Sequence, residues 1–304
     1  MSSIRARLLT QAWVVVLACG LCPASLHAQD LLLPEWEIEA SPEDSAPKKV
    51  AGKVAEFSYS LVNDTLSDTW SITKSPLDWR LKGWLTAALV AGATVGLVYG
   101  VDQRVREDSQ SDPGFQEFGD DIRWLGTGPG LAALTGGFAL AGWVFDRPKE
   151  VETARLLVEA SMAGVVFTTL GKYTFGRARP RTNMGPRDFD PFSGNMSMPS
   201  GETTSAFIMA GVITSQYPQW YVQLISYSLA GAVGAGRIAK DAHWTSDVFI
   251  SAALGIAVSK AVVYFNRKRQ ERRKQLKAVG SSRREFRKHY FSVSPRAFRW
   301  TIVF

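Results

Sequence analysis

The sequence predicts an all-α protein, a membrane-embedded bundle of six apolar helices set between a polar N-terminal extension and a basic C-terminal tail. Three observations predict it. Six apolar stretches lie between residues 83 and 265, several of them near the roughly 20 residues needed to cross a bilayer. Gly, Ala, Ser and Thr crowd those stretches, which suits close contact between helices. A run of Lys and Arg follows the last stretch directly. The competing reading is a buried bundle in a soluble protein, because 204–217 is short for a span and 124–145 contains Gly128-Pro129-Gly130.

Arg5 and Arg7 precede an apolar run that ends in HAQD, the pattern of an export signal peptide over residues 1–28 with cleavage after Ala28. Leu26 is larger than the residue favoured three positions before a cleavage site, and VLAC offers lipoprotein processing at Cys19 as the alternative. Both cysteines, Cys19 and Cys22, lie in this leader, so the body of the protein is expected to have no disulfide or thiol chemistry. Residues 29–80 are polar and interrupted by Pro34, Pro42, Pro47 and Pro76. They read as a loosely structured extension with a short extended run over Phe57–Val62. The helical domain is expected over 81–266, with apolar helices at 83–101, 124–145, 153–173, 204–217, 220–236 and 247–265 and an acid-rich loop over Asp102–Asp121. The tail, 267–304, closes in an alternating aromatic stretch that reads as a short strand.

The formal charge of +7 is not spread evenly. Residues 267–288 hold eleven Lys/Arg against two Glu, which leaves the rest of the chain slightly acidic. A basic run beside an apolar segment reads as contact with an anionic membrane surface. No aromatic interleaving or nucleic-acid motif accompanies it, so nucleic acid is not an expected partner, and no protein partner is implied. Such a run belongs in the cytoplasm. Counting back through six crossings places the loops after the first, third and fifth apolar helices outside, in a bacterial-type inner membrane with the active site facing the periplasm. The same count leaves residues 30–80 inside, whereas a cleaved export leader would carry them out.

Only three histidines occur. His27 lies in the leader and His289 in the basic tail. His243 is spaced as Arg237-x5-His243-x3-Asp247, downstream of Lys172-x6-Arg179-Pro180 and of Pro199-Ser200-Gly201. A phosphate monoester carries close to two negative charges and needs donors around its oxygens. Lys172 supplies a compact ammonium, and Arg179 and Arg237 supply planar forks that grip two oxygens at once. Pro199-Ser200-Gly201 precedes an apolar helix, where the backbone N–H groups of Gly201 and the Ser200 hydroxyl can face an anion. His243 is placed to attack phosphorus, with Asp247 one helical turn on to fix its tautomer. Arg177, Arg181 and Arg187 read instead as anchors at the membrane surface. No His/Asp cluster has metal-ligand spacing, so neither metal nor cofactor is implied.

These blocks, GKYTFGRARP (171–180), MPSGET (198–203) and GRIAKDAHWTSD (236–247), resemble the type 2 phosphatidic acid phosphatase (PAP2) and vanadium haloperoxidase superfamily over roughly residues 76–266. The resemblance implies a six-helix core of the PAP2 type and hydrolysis of a lipid phosphate or diphosphate through a phosphohistidine. It carries phosphate binding onto Lys172, Arg179, Ser200, Gly201 and Arg237, and catalysis onto His243 and Asp247. Two positions depart from the family pattern: Gly236 stands for the usual Ser, and Glu202 for the usual His that protonates the leaving alkoxide. A carboxylate among cations is ionised at neutral pH, unable to donate and repelled by phosphate, whereas burial favours the protonated acid. Glu202 thus reads either as a weakened general acid or as a group that caps the helix or neutralises an arginine. General-acid assistance is worth about 10²–10⁴-fold, so its loss slows the reaction and matters least for a good leaving group such as a diphosphate. Two other functions follow from the same residues. One is a catalytically impaired protein that binds lipid phosphates; the other is a vanadium-dependent haloperoxidase, against which the apolar helices argue.

Overall fold

The computed structural model describes residues 46–290, with nine α-helices and no strand among them. The leader, the lipoprotein alternative and the proposed terminal strand lie outside the described residues. Two compact units divide the chain at residue 52; the first, Met1–Gly52, is described only over 46–52, and Lys53–Phe304 is the unit that carries the bundle.

The helices are α1 (Ala46–Lys74), α2 (Leu81–Gly100), α3 (Asp102–Ser111), α4 (Pro113–Arg123), α5 (Gly128–Val144), α6 (Pro148–Phe175), α7 (Gly201–Gln216), α8 (Trp220–Ala239) and α9 (Thr245–Tyr290). All six apolar stretches are therefore helical, as α2 and α5 to α9. Short 3₁₀ turns occupy Ser75–Asp78, Trp124–Gly126 and Pro180–Thr182. The second of these starts α5 later than the apolar run does, since Gly128-Pro129 opens the helix with proline in its first turn, where its missing N–H is no loss.

The core is built around α7, which packs against α6, α8 and α9. Ile208, Met209 and Val212 of α7 meet Leu156 and Leu157 of α6, Val233 of α8 and Val258 and Val262 of α9. Alanines fill the remaining contacts, Ala160, Ala163, Ala206, Ala210 and Ala230 among them, so the helix backbones approach closely. Among the described residues, three helices are long and apolar enough to cross a membrane: α2, α6 and the Thr245–Leu276 part of α9. Six spans were expected. At 16 residues α7 is about 24 Å long, short of the roughly 30 Å hydrocarbon layer. The α8 helix carries Gln223, Ser226, Ser228 and Arg237, and α5 has only 17 residues. Large apolar side chains nonetheless stay exposed along the bundle, including Trp84, Leu89, Val165, Leu170, Leu224 and Leu229, an outer surface suited to lipid.

Two sequence expectations fail. Phe57–Val62 is helical, part of α1, and Asp102–Asp121 forms α3 and α4 rather than a loop. Charge pairs to distant positions hold α1: Asp64 and Asp68, one turn apart, meet Arg155 of α6 and Arg269 of α9, and Arg269 also lies 3.2 Å from the buried Glu159. An Asp-Pro signal opens α4, where the Asp112 carboxylate accepts from the N–H groups of Gly114 and Phe115, a side-chain N-cap.

The chain direction sorts the connections to two ends. Residues 101–127, 175–201 and 239–245 gather at one end, and Lys74–Leu81, 144–148 and 216–220 at the other. The Asp64–Arg155 and Asp68–Arg269 pairs place α1 at the second end, beside the start of the basic run. Whichever face of a membrane the basic run takes, α1 takes the same one.

Candidate active site

Each motif residue is delivered by a helix end at the first of these two faces. The last turn of α6 carries Lys172, and the helix stops at Gly176, which adopts the left-handed conformation (φ 53°). A Cβ there would sit 1.8 Å from the Asp190 carbonyl oxygen, so only glycine allows the turn. The chain then passes Arg177 and Arg179 and is tied back by an antiparallel bridge between Arg177 and Phe189. Ser200 is the N-cap of α7, accepting from the backbone N–H of Thr203 at 3.4 Å. The last turn of α8 carries Arg237, and His243 follows in the connection to α9, with Asp247 in the first turn of that helix.

These parts meet at a cavity of about 450 Å³. Lys172, Arg179, Gly201, Glu202, Arg237 and His243 all line it, so all three motifs contribute. Arg123, Arg181 and Lys240 line it too. Six cationic side chains thus face one carboxylate. Burial, then the neighbouring Arg181, push Arg179 below its ordinary value, and an anion between these cations relieves both effects.

His243 is buried, and its Nδ1 lies 2.7 Å from the Ser197 carbonyl oxygen. A carbonyl only accepts, so Nδ1 carries the hydrogen and the Nε2 lone pair is left free for attack. Asp247 stands further off, 3.8 Å from Nδ1. The sequence expectation that Asp247 fixes the tautomer is therefore replaced: the Ser197 backbone holds the ring, and Asp247 acts on it through charge. Burial, the largest influence, holds the imidazole below its ordinary value; Asp247 opposes this, and Arg237 and Lys172 add to it.

Behind the histidine lies a buried polar network that the sequence did not announce. Arg177, expected as a surface anchor, is fully buried. Its guanidinium donates to Asp247 at 2.5 Å and to Asp102 at 2.7 Å, and also to Ser246 and the Pro186 carbonyl. Asp102, the first residue of α3, accepts in turn from the backbone N–H and hydroxyl of Ser246. Asp247 accepts from the Ser197 hydroxyl at 2.5 Å and the Trp244 N–H at 3.0 Å. Arg181 is exposed and also lines the cavity. Arg187 lies over the Tyr99 ring at 5.4 Å.

Ser200 is not where the sequence reading put it. Its side chain is fully buried and its Oγ accepts from the Thr203 hydroxyl at 3.0 Å, so it caps α7 from behind the cavity wall. Glu202, in the first turn of α7, points to the cations: one carboxylate oxygen is 2.8 Å from Arg237 and the other 3.7 Å from Arg123. Gly236 also has a local reason. A Cβ there would stand 2.6 Å from Cγ2 of Ile122 and 3.4 Å from Cα of Gly119, so its absence lets α4 lie against α8 and brings Arg123 to the cavity.

Residues 153–271 match the description of the PAP2 superfamily, a stretch that contains every motif residue from Lys172 to Asp247. Over that stretch the chain is similar to the PAP2 superfamily. Among curated relatives, a lipid A 1-phosphatase of Porphyromonas gingivalis is 38% identical over 104 residues, which make up 33% of this chain and 20% of that protein. The chain thus spans about a fifth of that relative's length. Of solved structures, LpxE of Aquifex aeolicus aligns with a TM-score of 0.45 and 24% identity over 55% of this chain and 96% of its own. A transmembrane PAP2 type phosphatidylglycerolphosphate phosphatase from Bacillus subtilis aligns with a TM-score of 0.46 and 20% identity, over 61% and 94%.

Proposed function

We propose that this protein is a phosphatase of the PAP2 type that hydrolyses a lipid phosphate or diphosphate through a phosphohistidine on His243. The observation that carries the reading is the buried imidazole facing a cavity shared with Lys172, Arg179 and Arg237. The three cations hold the phosphoryl oxygens and stabilise the charge that gathers on them as the nucleophile approaches. Gly201, at the first position of α7, offers its backbone N–H at a helix N-terminus, with Ser200 holding that turn in shape. Asp247 stabilises the imidazole as it gains positive character. In this reading residues 81–266 form the phosphatase domain.

For orientation, the positive-inside rule puts the basic run of α9 in the cytoplasm and the site on the periplasmic face. The position of α1 beside that run then puts α1 in the cytoplasm as well. A cleaved export leader would place α1 outside, so that reading of residues 1–28 and the cytoplasmic placement of α9 exclude each other.

The test is phosphate release by the purified full chain from lipid monophosphates and diphosphates across pH 4–8. Release above the rate without protein is expected, and none from any of them overturns the proposal. A second reading, a lipid-phosphate-binding protein without turnover, draws on the Glu202–Arg237 pair, which sets a negative charge inside the cavity. Lipid binding that persists in His243→Ala, with no turnover in either form, favours it.

A further inference from the structure

Cleaving a phosphate ester releases an alkoxide, as basic as hydroxide, so the leaving oxygen needs a proton as the bond breaks. Both oxygens of Glu202 face guanidinium groups, Arg237 at 2.8 Å and Arg123 at 3.7 Å, which only donate, so both oxygens are placed as acceptors. Guanidinium groups do not release protons. The Lys172 ammonium donates to the Met196 carbonyl at 3.0 Å, and the Lys240 ammonium to Asp120 at 2.8 Å. His243 is the sole imidazole of the lining, and it is the nucleophile. Among the described residues, the lining thus offers no imidazole besides the nucleophile and no carboxyl group clear of a guanidinium.

The surplus of cations is the second, separate observation. Lys172, Arg179 and Arg237 suffice for a group carrying close to two negative charges. Arg123, Arg181 and Lys240 come to the same cavity from three other places: the end of α4, the 3₁₀ turn after Arg179 and the residue after α8. Gly236, the departure that admits α4, and Glu202, the departure that removes the acid, thus act on the same cavity.

Resting on the phosphatase reading, we propose that this chain is specific for lipid diphosphates, with the terminal phosphoryl group against His243 and the inner phosphate on Arg123, Arg181 and Lys240. Nε2 of His243 attacks the terminal phosphorus; the N–P bond forms, the bond to the bridging oxygen breaks, and its electron pair leaves on the inner phosphate of a lipid monophosphate. Water then bonds to phosphorus, the N–P pair returns to the imidazole, and both water protons leave with inorganic phosphate as H₂PO₄⁻. The departing phosphate needs no acid, because its own second ionisation lies near pH 6, far below that of water at about 15.7.

The experiment compares farnesyl monophosphate with farnesyl diphosphate, using the full chain in detergent. Diphosphate turnover is expected to exceed monophosphate turnover by at least about 100-fold, and Glu202→His to speed the monophosphate by about 10²-fold or more, the low end of what a general acid contributes. Arg181→Ala combined with Lys240→Ala is expected to raise KM for the diphosphate at least about tenfold more than KM for the monophosphate, the loss of charge-assisted contacts to one phosphate. Equal wild-type rates on the two substrates overturn the specificity whether or not the variants fold. A diphosphate preference that the double variant leaves intact overturns the assignment of the inner-phosphate site. Release from neither substrate, by wild type or Glu202→His, overturns the phosphatase reading and this inference with it.

Discussion

Alanine at His243 is expected to lower phosphate release by on the order of 10⁴–10⁶-fold, the scale on which removing a nucleophile acts elsewhere. The ring is buried, its Nδ1 is committed to the Ser197 carbonyl, and no second imidazole lines the cavity to take its place. Substrate binding is expected to weaken far less, because Lys172, Arg179 and Arg237 are untouched. The wild-type pH profile carries a related signature. Burial, with Arg237 and Lys172 adding to it against Asp247, holds the imidazole below its ordinary value near 6.5. The neutral, attacking form therefore persists as pH falls through 6.5, and the acid limb of kcat/KM is expected below that point. Steady-state release from His243→Ala within tenfold of wild type would contradict the assignment.

Methionine at Arg177 is expected to be the most destabilising single change in the site. The guanidinium is fully buried and is the direct partner of two carboxylates, Asp102 and Asp247, themselves fully buried as side chains. Removing one member of a buried pair leaves the other charge uncompensated, at about 3–5 kcal/mol. Here two carboxylates lose their shared partner, and with it goes the tie between the start of α3 and the first turn of α9. Arg177→Lys is not expected to rescue, since a single ammonium does not span both acids as the planar fork does. Denaturant unfolding in detergent provides the measurement. A loss below about 1 kcal/mol, the range of an exposed ion pair, would show that the network is not what holds the two helices together.

The bundle was legible because each apolar stretch forms a helix whatever surrounds it. The three motifs were legible because they carry side chains whose chemistry is scarce, a lone histidine above all. What escaped the sequence depends on partners far along the chain. Asp64 and Asp68 have no local reason to be helical; Arg155 and Arg269 supply one. Arg177 and Arg179 are two residues apart and alike in composition, yet one enters the protein and the other faces the cavity. Motif spacing singles out Arg179, but nothing in the sequence says that Arg177 is buried before Asp102 and Asp247 are in place. The group that sets the histidine tautomer is a backbone carbonyl, at Ser197, and carries no residue-type signal at all. By contrast, Asp112-Pro113 is a local start signal for α4 that the acid-rich loop expected over 102–121 left out.

The measurement that tests the central claim most directly is the stereochemistry of hydrolysis, using a substrate whose terminal group is a thiophosphoryl made chiral with two oxygen isotopes and hydrolysed in water carrying the third. Attack by His243 followed by attack of water makes two in-line displacements, so the configuration at phosphorus is retained in the released thiophosphate. Inversion would mean that water attacks phosphorus directly and that no phosphohistidine lies on the path.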